Sequence, residues 1–178
     1  MKNADLAILG LIVEKPRYGY EIEQVIEARN MRDWTEIGFS SIYHILGRLE
    51  KSGYVEALLQ DSAGRGPARK VLEVTEDGRS AWYEASLHAL STPVKCDQSF
   101  FLGLAALPAV PRDEALRTLD SYWEQLQQRR DKAEARWQEI GDETSFIIEA
   151  MFDHSFHLID AEMEWIEGFK ERLSGARL

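Results

Sequence analysis

The sequence predicts a mainly α-helical protein with one small two-stranded hairpin set between helices, and three observations carry that expectation. Apolar residues recur at helical spacing through most of the chain. The period becomes strand-like only at YVEALLQ (54–60) and RKVLEV (69–74), which flank the turn DSAGRGPA, rich in glycine and proline. Beyond STPVK (91–95) every pattern is helical again, so two domains are expected, 1–92 and 93–178, the second all-α.

The first helix is expected from about Ala4 to Glu14. Leu6, Leu9 and Val13 form its stripe, and Ile8 and Ile12 widen it, which implies contacts on more than one side. Lys15-Pro16 ends it, because a residue before proline is pushed out of helical geometry. A second helix covers roughly Gly19 to Arg29 on Ile22, Val25 and Ile26, and a connection follows in which Trp34 and Ile37 are expected to pack inward. The third helix, 40–52, is the best marked. Ser40 or Ser41 can cap it, Ile42, Ile45, Leu46 and Leu49 recur at i, i+3, i+4 and i+7, and Gly53 suits its C-terminal cap. After the hairpin, Thr75-Glu-Asp-Gly starts a fourth helix that runs to about Leu90.

Composition narrows the class. The chain has 178 residues, 44% hydrophobic and 29% charged, the balance of a globular protein with a real core. Its single cysteine, Cys96, excludes an intrachain disulfide and suits a reducing compartment. No apolar run approaches the roughly 18–20 residues of a membrane span, and the opening MKNADLAILGLIVEKP does not read as a secretory leader, so a cytoplasmic location is expected. The net charge of −10 has the wrong sign for bulk attraction to nucleic acid, but residues 1–90 carry −3 of it and residues 91–178 carry −7. Any contact with a polyanion must come from a local patch in the first half.

Such a patch is present. Three helices, a hairpin and a fourth helix within ninety residues is the order of a winged helix-turn-helix, in which the third helix enters the DNA major groove. With its apolar stripe buried, that helix offers Ser40, Ser41, Tyr43, His44, Gly47, Arg48 and Lys51 on the other side, none of them acidic. The hairpin brings Arg65, Arg69 and Lys70, with Gly64, Gly66 and Pro67 shaping its tip, and cations on an adaptable loop suit phosphate or minor-groove contact. Lys15 and Arg17 are expected to add backbone contacts. Each signal also has a plain reading, since one polar helix face and one basic turn are ordinary solvated surface. It is their order that points to double-stranded DNA.

The residues LAILGLI at the start, YGYEI (18–22), SSIYHILGRLEKSGYV (40–55) and GRGPARKVLEVTEDGR (64–79) occur together and in order, and with them the chain resembles the PadR family of transcriptional regulators. The resemblance implies a homodimer whose two winged domains read an imperfect inverted repeat, with Tyr43 and its neighbours at the DNA and the C-terminal helices exchanging contacts between subunits; a repressor is expected, with an activator the open alternative. Two departures stand out. His44 occupies a position where the family often has proline, and Gly66 separates Arg65 from Pro67 where the family's wing usually reads Gly-Arg-Pro.

In the second half a short helix from about Asp97 to Leu107 precedes a long one starting at Pro111 to Asp113. Leu116, Leu119, Trp123, Leu126, Arg130, Ala133, Trp137 and Ile140 alternate there at three and four, a heptad seam. A last helix from about Glu143 to Leu173 carries Ile148, Met151, Phe152, Ile159, Met163, Ile166, Phe169 and Leu173. This is more apolar surface than three helices need, so Leu119, Trp123, Leu126, Met151, Phe152, Ile159, Met163, Ile166 and Phe169 are expected at a twofold interface. Arg130 interrupts the seam and either fixes register or extends outward. The five tryptophans admit two readings, core and interface or a pocket for a small aromatic effector, as some PadR-family members respond to aromatic or cationic ligands. His154 and His157, near Asp153 and Asp160, read as structural or surface histidines rather than a metal site, and Cys96 as an inert thiol. No motif for catalysis or a cofactor is found. The rival to DNA binding is a winged-helix adaptor that binds protein, which would have no need of cations on one side.

Overall fold

A computed structural model describes residues 1–35, 37–38, 41–60, 69–93, 98–140 and 144–175, with the backbone alone for Asp33, Leu59, Gln60 and Arg69. The chain divides into two compact units, Met1–Lys95 and Cys96–Leu178.

In the first unit, α1 (Asn3–Glu14) buries Ile8, Leu9, Leu11 and Ile12. That is a wide face, and it is covered from three sides by α3 (Ser41–Lys51), α4 (Glu76–Ser91) and the second hairpin strand. Lys15 is extended before Pro16, as the proline demands. The helix α2 (Gly19–Ala28) starts with the Tyr18 amide donating to the Glu21 carboxylate at 3.2 Å and buries Ile22 and Ile26. Asn30 then takes a left-handed conformation, φ 47°, and a single 3-10 turn follows at Met31–Asp33. Here the sequence expectation needs correction. Ile37 is buried as expected, but Trp34 is 55% exposed, and Met31 joins the core cluster from this turn. An unbranched thioether fits an irregular gap under two helices more readily than an indole does.

Ile42, Ile45, Leu46 and Leu49 of α3 are all buried. The helix closes in a Schellman motif, with Gly53 at φ 74°, its amide donating to the Glu50 carbonyl at 2.9 Å and the Tyr54 amide to the Leu49 carbonyl at 3.0 Å. This turn sends the chain into β1 (Val55–Gln60), which pairs antiparallel with β2 (Arg69–Val74), Val55 opposite Val74 and Gln60 opposite Arg69. Val55 and Leu72 join the core, and Val71, on the other face of the hairpin, is buried as well. Arg17 and Leu72 exchange both backbone hydrogen bonds, at 3.1 and 2.9 Å, so the α1–α2 connection forms a one-residue third strand. Thr75 caps α4 by accepting from the Gly78 amide at 3.0 Å.

In the second unit, α5 (Gln98–Ala106) leads through a 3-10 turn to α6 (Arg112–Ile140), which pairs with α7 (Phe146–Gly175) as a long helical hairpin. Ala115, Leu119, Ile166 and Leu173 form one buried cluster, with Leu126 and Ile159 also buried along the hairpin. This corrects the expected interface. Leu119, Leu126, Ile159 and Ile166 are spent inside the protomer, because the heptad seam of α6 finds its partner in the chain's own next helix. Trp123, Phe152, Met163 and Phe169 are half-buried, and Met151 is exposed. Polar contacts fix the register of the pair. Arg130 donates to Asp160 at 2.7 Å with its guanidinium 5.5 Å from the Phe156 ring centroid, Tyr122 donates to Glu162, and Lys170 pairs with Asp120.

Candidate nucleic-acid interface

The outward side of α3 is what its inward periodicity leaves over. Tyr43, His44, Gly47, Arg48 and Lys51 are exposed, the tyrosine by 61%. Ser41 is half-buried, and its hydroxyl donates back to the Gly38 carbonyl at 2.6 Å, so it closes the turn into the helix. Ser40 lies outside the described residues.

Two side chains on this face are held by residues remote in sequence. The Tyr43 ring lies over the start of α2, where a Cβ on Gly19 would stand 2.7 Å from its Cε1, so the glycine provides the ring's seat. Arg48 pairs through Nη2 with Oδ1 of Asp5, an almost buried carboxylate in the first turn of α1. Between the start of α1 and α3 lies an open cleft of about 580 Å³ lined by Lys2, Asn3, Ala4, Ser41, His44, Ile45 and Arg48. Neither Gly19, Asp5 nor Lys2 stands out in the sequence, since each owes its place to packing between elements.

The hairpin is anchored beside this face. Lys70 on β2 donates to Glu50 of α3 at 2.7 Å, and β2 reaches back to Arg17. Arg65 lies outside the described residues, and of Arg69 the backbone alone is described, opposite Gln60. Lys15 is exposed, whereas Arg17 is 3% exposed and is no surface cation. Its guanidinium is drawn inward because its backbone joins the sheet, and it pairs with Glu14 at 2.9 Å. Arg29 grips the same carboxylate at 2.6 and 3.0 Å. This contact holds the Glu14 carboxyl below its ordinary value and the Arg29 guanidinium above its own, with a smaller Coulombic contribution from Arg17 on Glu14.

No group of three or more His, Cys, Asp or Glu suited to a metal occurs among the described residues. His157 meets the Asp153 carbonyl at 2.8 Å, which raises its affinity for a proton, and the Asp153 carboxylate adds to that. No described helix is long and apolar enough to cross a membrane.

A core of three helices, an antiparallel hairpin and a capping fourth helix, with the third helix presenting a polar face beside the hairpin, is a winged helix-turn-helix. Residues 8–84 match the transcriptional regulator PadR-like family, and the chain belongs to the PadR-like family of transcriptional regulators. An uncharacterized protein of Lysinibacillus sphaericus is 40% identical over 78 residues, 44% of this chain and 70% of that one. The fold is shared with solved regulators along nearly the whole chain. Bacillus subtilis PadR in complex with operator DNA matches with a TM-score of 0.74 at 16% identity, covering 97% of this chain and 99% of that one. The same protein in complex with p-coumaric acid matches at 0.75 and 16% identity, covering 96% and 98%. The Vibrio cholerae virulence activator AphA matches at 0.72 and 16% identity, covering 96% and 97%. The family and these neighbours are transcriptional regulators rather than enzymes.

Proposed function

We propose that the protein is a sequence-specific transcriptional repressor that binds an imperfect inverted repeat as a homodimer, acting in the cytoplasm. Helix 40–52 reads bases and wing 54–74 grips the backbone. The observation that carries this reading is the face of α3, where Tyr43, His44, Arg48 and Lys51 stand exposed on one rigid helix in an otherwise acidic protein. An adaptor that binds protein has no use for that concentration of donors beside Lys70, with Arg65 and Arg69 near it in sequence. Ser40 and Ser41 at the helix start complete the DNA-facing set, with Ser41 acting through the turn. Selection from a random duplex pool tests the reading. Recovery of a short twofold motif, bound with affinity that falls steeply with salt, is expected. Recovery of no motif by a folded dimer would refute it.

The partly covered aromatic cluster of the second unit supports a small aromatic effector. Phe100 stacks on Tyr122 at 5.3 Å and meets Trp165 edge-on at 5.9 Å, and Trp165 stacks on Phe169 at 4.9 Å. Beside them the buried Nε1 of Trp123 has no hydrogen-bond partner among the described residues, a donor that a carboxylate or phenol would satisfy. Titration calorimetry with a panel of phenolic acids should give heat and release operator DNA; neither effect across the panel would reject this class of ligand.

A further inference from the structure

We infer that Asp5 is a specificity-determining residue that acts by positioning Arg48, an inference that rests on the DNA-binding reading. The two residues lie on α1 and α3, 43 positions apart, and no local periodicity links them. Asp5 is only 8% exposed, whereas the Arg48 side chain is about half exposed. One partner is therefore fixed in the protein and the other faces solvent. The carboxylate sits in the first turn of α1, where the unsatisfied amides favour negative charge, so the anchor is stable in its own right.

The consequence lies in the geometry of guanidinium. Arginine carries five N–H donors in a planar fork on a flexible stem. Asp5 engages Nη2, which restricts the stem while Arg48 lines the cleft together with His44, Lys2 and Ser41. A fixed fork fits one arrangement of acceptors well and others poorly. The same carboxylate offsets the Arg48 charge, so a duplex docked in another register meets a neutral pair rather than a free cation. Asp5 thus lowers affinity for arbitrary DNA and preserves it for the sequence that places acceptors at the outer edge of the fork.

Asp5→Asn separates this from a role in folding alone, because the sign of its effect on random DNA is opposite to that of a damaged fold. Affinity for a random duplex should rise about fivefold at low salt, as the Arg48 charge is freed for phosphate. The ratio of selected-motif to random-duplex affinity should fall about tenfold, and the salt slope on random DNA should steepen by about 0.9, one further phosphate. In an Arg48→Ala background the same substitution should leave the ratio unchanged, with urea midpoints and helicity confirming that every variant is folded. An unchanged ratio with Arg48 present, or an equal fall without it, would overturn the inference while leaving DNA binding intact. A wild-type protein that selects no motif would instead remove the DNA reading, and this inference with it.

Discussion

Gly78 and Gly19 each lack a side chain for a steric reason, and the difference between their neighbours predicts different phenotypes. A Cβ on Gly78 would lie 1.9 Å from the Tyr54 carbonyl oxygen, the same oxygen that accepts from Thr75 at 3.1 Å. Backbone cannot step aside there without loosening the start of α4, so Gly78→Ala should cost about 3 kcal/mol. For a domain of this size that is roughly 15 °C of melting temperature, read by thermal denaturation. A Cβ on Gly19 meets the outer edge of the Tyr43 ring and touches Leu46 Cδ1 at an ordinary 3.5 Å. The ring can swing away, so Gly19→Ala should leave the melting temperature within a few degrees while changing the motif recovered by selection. Equal motifs from both proteins would mean that the seat of Tyr43 does not matter. Glu14 makes a third prediction, of pH dependence. Its folded-state carboxyl is held below the ordinary value of 4.5, first by the hydrogen bond from Arg29. The stabilisation is therefore present in full above the unfolded value and is lost as pH falls through the lower, folded one. Urea midpoints of the wild type and Glu14→Gln should differ at pH 7 and converge in acid; a constant gap would rule out ionisation as the cause.

At the level of elements, much was legible where the information is local. The stripe of α3, its glycine cap, the hairpin strands and the Thr75 cap all follow from neighbours within a few positions, and the structure has each of them. What failed to show was which surface covers which. Periodicity marked Leu119, Leu126, Ile159 and Ile166 as apolar seam positions but not that the seam closes within one chain. Arg17 read as a surface cation because nothing in its sequence reveals a backbone bridge to Leu72, and Asp5 gave no signal of its pair with Arg48. The closed seam has a measurable consequence. Ile166 is fully buried between α6 and its neighbours, so Ile166→Ala should destabilise the second unit by about 3 kcal/mol, within the range of buried aliphatic truncations. Chemical denaturation of the isolated substitution reads it, and a loss below about 1 kcal/mol would place Ile166 outside the core. For the elements proposed to face DNA, Arg65→Ala and Arg69→Ala should weaken binding alike on every sequence, whereas Tyr43→Ala and His44→Ala should change the preferred one.

At the level of the whole molecule, the closed seam moves the proposed dimer contact to another face. With the inner faces of α6 and α7 closed on each other, Phe146, Ile147, Met151, Leu158 and Trp165 of α7 remain exposed, as do Phe101 and Leu102 of α5. Soluble monomers rarely leave so many large apolar side chains in water, and a second copy is the partner that an inverted repeat requires. The first half of α7 is therefore where a charge should separate subunits without unfolding them, since Ile147 and Met151 are a turn apart and neither joins a buried cluster. The double variant Ile147→Asp, Met151→Asp should sediment as a monomer with unchanged helicity and urea midpoint. Because a dimer holds its second recognition helix one turn of DNA away at high effective concentration, the monomer should lose on the order of a hundredfold or more in affinity for the full repeat. Its affinity for a half-site should be unchanged. A dimeric double variant would assign the contact to other residues. A monomer that still bound the repeat as tightly as the wild type would show that dimerisation and DNA reading are uncoupled in this protein.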